Sequence, residues 1–288
     1  MLPAPSRPSL GVILMALAML TIPLVDGLAK HLSTSYSPLF LGWARYAVAC
    51  LIVLPFAAGI HGPQIFPTER RISHILRTLF LVAAMTLYFL SIARIPLATA
   101  VSTYFVAPIL AVVLSVVLLR ERMTSRKALS LILGFVGSMV ILRPGGSTDP
   151  GILFALGSGV FFAFYLIATR QAAQESDPIK TLAFQCVAGT LLLTPQALLS
   201  WSVAAWSDLL FFAGLGLFSA VSHILSILAF RHASASTLAP LVYLELIGTV
   251  LVGYLGFREI PDIPAMLGAG CIVAAGLLLL QRADLQSG

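Results

Sequence analysis

The chain is 288 residues long, with 59% hydrophobic residues, only 10% charged residues and a mean hydropathy of +1.01. Soluble domains carry roughly 25% charged residues, so this composition excludes a soluble protein and predicts an integral membrane protein. The formal net charge of +6 does not indicate nucleic-acid binding. The basic residues fall in short gaps between apolar runs, and no basic face or nucleic-acid motif is present.

Ten apolar runs follow one another along the chain, each about long enough to cross the hydrocarbon as a helix. The runs are continuous rather than alternating, which favours helices over strands. The predicted spans are 10–30, 38–59, 74–94, 97–119, 126–143, 151–171, 179–199, 207–230, 237–257 and 263–281. We therefore expect an all-α membrane bundle of ten helices with little soluble structure.

Lysine and arginine are distributed unequally between the two sides of these spans. The side that holds the N-terminus carries 12 of them, Arg77 included, and the opposite side carries 4. The positive-inside rule places the richer side in the cytoplasm. Both termini are therefore expected in the cytoplasm, and a bacterial inner membrane is the expected location.

The second half of the chain repeats the first at a nearly constant offset. The matched landmarks are Gly11 with Gly151 and Pro38 with Pro178 at 140 residues, then Thr99 with Thr237 and Glu121 with Glu259 at 138 residues. This predicts two homologous repeats, 1–147 and 148–288, of five spans each. Because five is odd, the second repeat should be inverted, and inverted repeats are the architecture of many carriers that alternate access.

Spans 4 and 9 end in the same charged pair, Arg120–Glu121 in "VVLLRER" and Arg258–Glu259 in "GYLGFRE". We predict one structural corner that is used twice. Each glutamate can accept backbone N–H groups at the start of the next helix, or it can pair with the adjacent arginine. A gating role is the alternative.

The segments "IPLATAVSTYFVAPILAVVLSVVLLRE", "GFVGSMVILRPG" and "APLVYLELIGTVLVGYLGFRE" resemble the EamA-type members of the drug/metabolite transporter superfamily. The resemblance covers nearly the whole chain. It implies a central cavity lined mainly by spans 1, 3, 4, 6, 8 and 9, with spans 5 and 10 to the side. The family includes exporters of amino acids, among them the YddG-like exporters of aromatic amino acids, as well as uptake carriers. Span 1 lacks the proton-coupling glutamate of the small multidrug relatives, which argues against antiport of cationic drugs.

Ionisable residues deep in lipid are costly, and each is a candidate for function. Glu245 lies in the middle of span 9, where it can bind a substrate amine or a proton; a structural hydrogen bond is the alternative. Arg45 in span 2, whose repeat partner is Gln185, can bind a carboxylate, or it can extend toward the outer interface as a structural residue. His223 in span 8 can titrate or can make a helix–helix hydrogen bond.

Other candidate positions are less specific. Asp26 and Lys30 are four residues apart near the outer end of span 1, which favours a local ion pair. Pro23 and Pro108 lie inside spans and are predicted hinges. Four tyrosines lie in spans expected around the cavity and suit a substrate with an apolar body. They are Tyr88, Tyr104, Tyr165 and Tyr243.

No motif of a hydrolase, metalloprotease or nucleotide-binding loop is present, and the three cysteines lie apart inside apolar runs. We therefore expect a transporter that is not an enzyme and that needs no cofactor or metal. The expected activity is secondary transport of a small zwitterionic or amphipathic metabolite, with export of an amino acid preferred. Import or exchange of another metabolite or drug is the alternative, and an intramembrane enzyme or a structural partner is a remote one. The sequence does not fix the oligomeric state.

Overall fold

The computed structural model describes residues 8–69, 71–92, 94, 103–142, 149–257 and 263–280. The first half contains helices α1 (Pro8–Leu32), α2 (Pro38–His61), α3 (Arg71–Ile92), α4 (Val106–Leu119) and α5 (Ser125–Leu142). The second half contains α6 (Gly151–Glu175), α7 (Pro178–Leu198), α8 (Leu209–His232), α9 (Leu244–Phe257) and α10 (Ile263–Leu280). The all-helical fold expected from the apolar runs is thus present throughout the described residues.

Several of these helices are long and apolar enough to cross a membrane. Five such segments occur in the described residues, at Pro8–Ala29, Pro38–His61, Gly151–Gln174, Pro178–Leu198 and Trp206–His232. Large apolar side chains such as Leu51, Leu191 and Leu255 point outward from the bundle. In water they would be unfavourable, whereas in lipid they are the expected surface. The protein is therefore a multi-pass membrane protein.

Corresponding helices of the two halves make corresponding contacts. Helix α1 packs on α8, and its equivalent α6 packs on α3; likewise α1 packs on α9 as α6 packs on α4. Helices α2 and α7 occupy equivalent positions in the two repeats and pack on each other, as do α5 and α10. Such a pattern arises when a local twofold axis relates two similar bundles.

Individual contacts locate that axis. Cys50 Sγ lies 3.5 Å from Thr190 Oγ1, and these two residues are separated by the repeat offset of 140. Tyr243 donates its hydroxyl to the carbonyl oxygen of Phe105 at 3.3 Å, with a separation of 138. A residue can contact its own equivalent only when both lie beside the symmetry axis. The axis therefore passes between α2 and α7 and between the segments that precede α4 and α9.

Span 9 is not one continuous helix as the sequence predicts. A short helical turn, Ala235–Leu238, leads into a 3₁₀ segment, Ala239–Tyr243, and α9 begins only at Leu244. At the equivalent place in the first half, α4 begins at Val106. Pro108 therefore lies in the first turn of α4, where its missing N–H removes no intrahelical bond. It marks the start of a helix, and its role as a hinge stays a prediction.

Candidate substrate-binding cavity

A cavity lies between the two halves and offers about 750 Å³ of space free of protein atoms, part of it open to the exterior. Its polar and aromatic lining residues are Asp26, Arg45, Tyr88, Tyr104, Ser158, Phe162, Ser219, Ser222, His223 and Glu245. They come from α1, α2, α3, α6, α8 and α9, except Tyr104, which lies two residues before α4. The family resemblance implies most of these elements, and the structure adds α2.

Two carboxyl groups, Asp26 and Glu245, line the same cavity. Glu245 lies in the first turn of α9 rather than in the middle of a continuous helix. Asp26 is exposed on α1, and it lines the cavity, whereas the sequence favours a local pair with Lys30. The Lys30 side chain is outside the described residues. The cavity therefore has an acidic side contributed by one residue from each half.

Arg45 supplies a positive charge to the same cavity. One of its Nη atoms donates to Met85 Sδ at 3.0 Å, and the guanidinium lies over the Tyr46 ring, 5.1 Å from its centroid. No carboxylate of the described residues forms an ion pair with it. A thioether and an aromatic face leave most of the guanidinium N–H donors of Arg45 without an acceptor among the described residues. This arrangement suits a substrate carboxylate.

His223 connects the cavity to a buried polar chain. Arg77 donates from Nη2 to the Tyr165 hydroxyl at 3.4 Å and from Nε to Thr169 Oγ1 at 2.9 Å. The Tyr165 hydroxyl lies 3.3 Å from His223 Nδ1. We expect the Tyr165 hydroxyl, which accepts from Arg77, to donate its own proton to Nδ1, because a buried hydroxyl proton needs an acceptor. A neutral His223 therefore carries its proton on Nε2.

Arg77 is completely buried within the bundle. Its guanidinium stacks over the Tyr165 ring at 5.2 Å. The four tyrosines predicted at the cavity also separate into two groups. Tyr88 and Tyr104 line it, whereas Tyr165 and Tyr243 are buried behind it.

The aromatic lining forms one continuous wall. The rings of Tyr88 and Tyr104 lie 5.6 Å apart, and the rings of Tyr104 and Phe162 lie 5.3 Å apart. These separations are typical of interacting aromatic pairs. A planar or apolar part of a substrate can pack against this wall while its charged groups reach Arg45 and the carboxyl groups.

The Arg120–Glu121 corner is described in the first half only, because Arg258 and Glu259 lie outside the described residues. Arg120 ends α4 in the left-handed conformation, with φ of 54°. The Glu121 carboxylate accepts the backbone N–H groups of Ala235 at 3.0 Å and Ser236 at 2.8 Å. Glu121 therefore accepts backbone N–H groups at the start of the helical turn Ala235–Leu238, and not at the start of the next helix as predicted. Glu121 instead reaches across to the other half.

Further polar contacts join the halves at this corner. Arg170 Nε lies 3.7 Å from a Glu121 carboxylate oxygen, and Arg170 also donates to the Phe230 carbonyl oxygen. Lys127 Nζ donates to Ser236 Oγ at 2.8 Å and to Ser234 Oγ at 3.1 Å. We call Glu121, Lys127, Arg170 and Ser236 the corner cluster. It fastens the two halves together at one end of the bundle.

The sequence missed three residues that the structure brings to this site. Asp26 was assigned to a local pair because of its spacing from Lys30. Arg77 was counted with the loop charges because it follows two other arginines, and Phe162 has no feature that separates it from other apolar residues. The spacing of residues within α3 does not identify the partners of Arg77, because those partners lie on α6.

The profile of the EamA-like transporter family matches the chain twice, over residues 9–143 and 149–281. The chain belongs to this family. It is accordingly a membrane transporter of the drug/metabolite type and not an enzyme.

Characterised relatives cover the chain almost completely. It is 27% identical to the S-adenosylmethionine uptake transporter of Rickettsia prowazekii, over 94% of this chain and 92% of the relative. It is 25% identical to the riboflavin transporter of Vibrio cholerae, over 96% of this chain and 94% of the relative. It is 26% identical to the pseudopaline exporter of Pseudomonas aeruginosa, over 93% of this chain and 95% of the relative. These relatives support transport of a small metabolite.

A solved crystal structure also matches the fold. It is 20% identical in sequence and superposes with a TM-score of 0.80, over 99% of this chain and all of the other. At this identity the match concerns the fold alone.

Proposed function

We propose that this EamA-family transporter is a secondary carrier for a zwitterionic amino acid or amino-acid derivative with an aromatic or apolar body. The observation that supports this substrate class is the lining of one cavity by opposite charges and an aromatic wall. Arg45 binds the carboxylate, Asp26 and Glu245 bind the cationic groups, and Tyr88, Tyr104 and Phe162 pack against the planar part.

The number of charged groups favours a particular substrate within this class. The cavity contains two carboxyl groups and one guanidinium. S-adenosylmethionine carries two cationic groups, its sulfonium and its ammonium, with one carboxylate and one aromatic base. It matches both the charges and the aromatic wall, and it is the substrate named for the rickettsial relatives. An aromatic amino acid has one cationic group fewer and is the second candidate.

Transport follows from alternating access of the inverted repeats. The proposal places the two repeats, 1–147 and 148–288, in opposite orientations, with ten spans and both termini in the cytoplasm of a bacterium. The corner cluster then closes the cytoplasmic end while the cavity faces outward. Pro23 bends α1 as the two halves rock. No ATPase domain occurs in the chain, so gradients set the direction of net flux.

Two directions of net flux have support. The family resemblance favours export of an amino acid, and the uptake named for the rickettsial relatives favours import. The chemistry of the cavity is the same in both cases. Because gradients set the direction of net flux, the concentration gradient of the substrate decides between export and uptake.

The test is counterflow in sealed liposomes. Purified protein should exchange external radiolabelled S-adenosylmethionine or tryptophan against the same unlabelled compound inside, and protein-free liposomes serve as the control. Recovery of chemically unchanged label inside the vesicles supports a carrier. Failure of both compounds, and of a wider panel of amino acids, would contradict the proposed substrate class.

A further inference from the structure

The repeat relates each cavity residue to an equivalent in the other half. Some equivalent residues both line the cavity. Ile22 and Phe162, at the 140 offset, are one such pair, and Met85 and His223, at the 138 offset, are another. These positions lie beside the local twofold axis. They line the cavity whichever end of the bundle is open.

Away from the axis the pairs behave differently. Arg45 lines the cavity, whereas its equivalent Gln185 is completely buried. Asp26 is exposed and lines the cavity, whereas its equivalent Leu166 is 1% exposed. Tyr165, the equivalent of the lining residue Val25, is buried as well. The equivalents of open-side residues are therefore packed inside the closed side. This is the relation expected between the open and closed ends of an inverted repeat.

Two polar side chains buried on the closed side, Gln185 and Arg77, have atoms without a hydrogen-bond partner among the described residues. Both side-chain atoms of Gln185, Nε2 and Oε1, lack a hydrogen-bond partner among the described residues, although the side chain is fully buried. Nη1 of Arg77, which binds Tyr165 through Nη2, also lacks one. Buried polar groups nearly always have partners, and an unsatisfied one destabilises the state that contains it. A second state in which these groups gain partners would remove that cost.

We propose that Gln185, Tyr165 and Arg77 line a second, cytoplasm-facing cavity that opens when the outward cavity closes, and that they bind the substrate carboxylate there. This inference rests on the proposed function. The Gln185 amide and the Arg77 guanidinium supply N–H donors in place of Arg45. The carboxylate thus passes from Arg45 on one side of the axis to Gln185, the residue equivalent to Arg45, on the other.

Gln185→Leu tests the proposal, because leucine is of similar size and needs no hydrogen bond. In the outward-facing state it removes an unsatisfied amide, so the thermal midpoint should rise by about 2–4 °C. Counterflow should fall by about tenfold, because the second cavity has lost its donor. Substrate binding to the purified outward-facing protein should change by less than about twofold.

Gln196→Leu is the matched control. Gln196 lies on the same helix, α7, and its Nε2 is also buried without a partner. Its equivalent by the 140 offset is Phe56, which is exposed on the outside of the bundle and does not line the cavity. This variant should keep wild-type counterflow. Gln185→Met provides a second apolar variant should the leucine variant fold poorly.

The outcomes separate the two proposals. If the wild-type protein transports no amino-acid compound, the proposed function is contradicted. If the wild-type protein transports and Gln185→Leu and Gln185→Met keep wild-type counterflow, or if Gln196→Leu loses it equally, the second cavity is contradicted. Selective loss in both Gln185 variants supports it.

Discussion

The ring of Pro23 in α1 lies directly against Gly248 in α9, so that a Cβ atom added to Gly248 would be 2.6 Å from Pro23 Cγ. Asp26 follows Pro23 by one helical turn, and Glu245 precedes Gly248 by one turn. The close approach of these two backbones therefore brings a carboxyl group from each half to the same cavity. Pro23, predicted as a hinge, lies at a contact between the repeats.

Gly248→Ala should destabilise the protein by about 1–3 kcal/mol, because the added methyl group overlaps a rigid ring in a buried contact. The measurement is thermal or denaturant unfolding in detergent. In a Pro23→Ala background the overlap with Cγ is absent, so the same substitution should cost about 1 kcal/mol less. Gly270→Ala is the control, because nothing lies within 4 Å of that added Cβ. Equal destabilisation in both backgrounds would contradict the contact.

Glu121→Gln should weaken the corner cluster. The carboxylate accepts two backbone N–H groups and lies beside Arg170, whereas a glutamine offers one acceptor oxygen and no charge. The free energy of unfolding should fall by about 1.5–3 kcal/mol. Glu69→Gln, on an exposed loop, should leave it within about 0.5 kcal/mol of wild type. If the two variants were equally stable, the corner would not fasten the halves.

Tyr165→Phe should release His223 from its fixed tautomer, because the hydroxyl that donates to Nδ1 is gone. Nitrogen-15 NMR of histidine-labelled protein, assigned with a His223→Asn variant, should show the proton on Nε2 in the wild type and a mixture in the variant. Transport KM should rise by a factor of about five, equivalent to about 1 kcal/mol. Tyr36→Phe, which also removes a hydrogen-bonded tyrosine hydroxyl, should change neither. A wild-type proton on Nδ1 would contradict the assignment.

Arg45→Gln and Glu245→Gln should alter recognition of opposite ends of the substrate. Loss of Arg45 should weaken inhibition by compounds with a carboxylate by about 10- to 100-fold and leave their methyl esters little changed. Loss of the Glu245 charge should weaken inhibition by amine-bearing compounds and spare their deaminated analogues. The measurement is competition against labelled substrate in proteoliposomes. A uniform loss for all compounds in both variants would indicate a structural role for both residues.

Much of the fold can be predicted from the sequence because lipid imposes simple requirements on it. Continuous apolar runs must be helices, and the constant offset between Pro38 and Pro178 identifies two related halves. The interruption of span 9 at Ala239–Tyr243 could not be predicted, because an apolar sequence is compatible with both the α-helical and the 3₁₀ pattern of backbone hydrogen bonds. Glu245 therefore lies at a helix start and not in mid-helix.

The site can be predicted only in part from the sequence. Sequence patterns show which residues share a face of one helix, whereas the cavity is lined by residues of several helices. Glu245, Arg45, His223, Tyr88 and Tyr104 line it, and burial cost alone singled out the first three. Asp26 and Arg77 each have a plausible explanation in their own segment, so local spacing does not indicate that Asp26 lines the cavity. The partners of Arg77, Tyr165 and Thr169, lie in the opposite half of the chain, which local sequence spacing does not encode.

The most direct test of the account is competition against labelled tryptophan or S-adenosylmethionine by analogues that lack one charged group. In wild-type proteoliposomes, removal of either the amine or the carboxylate should weaken inhibition at least tenfold, because Arg45 and the pair Asp26 and Glu245 each lose a partner. Inhibition of equal strength by the deaminated or the esterified analogue would contradict a cavity that holds a zwitterion by both ends.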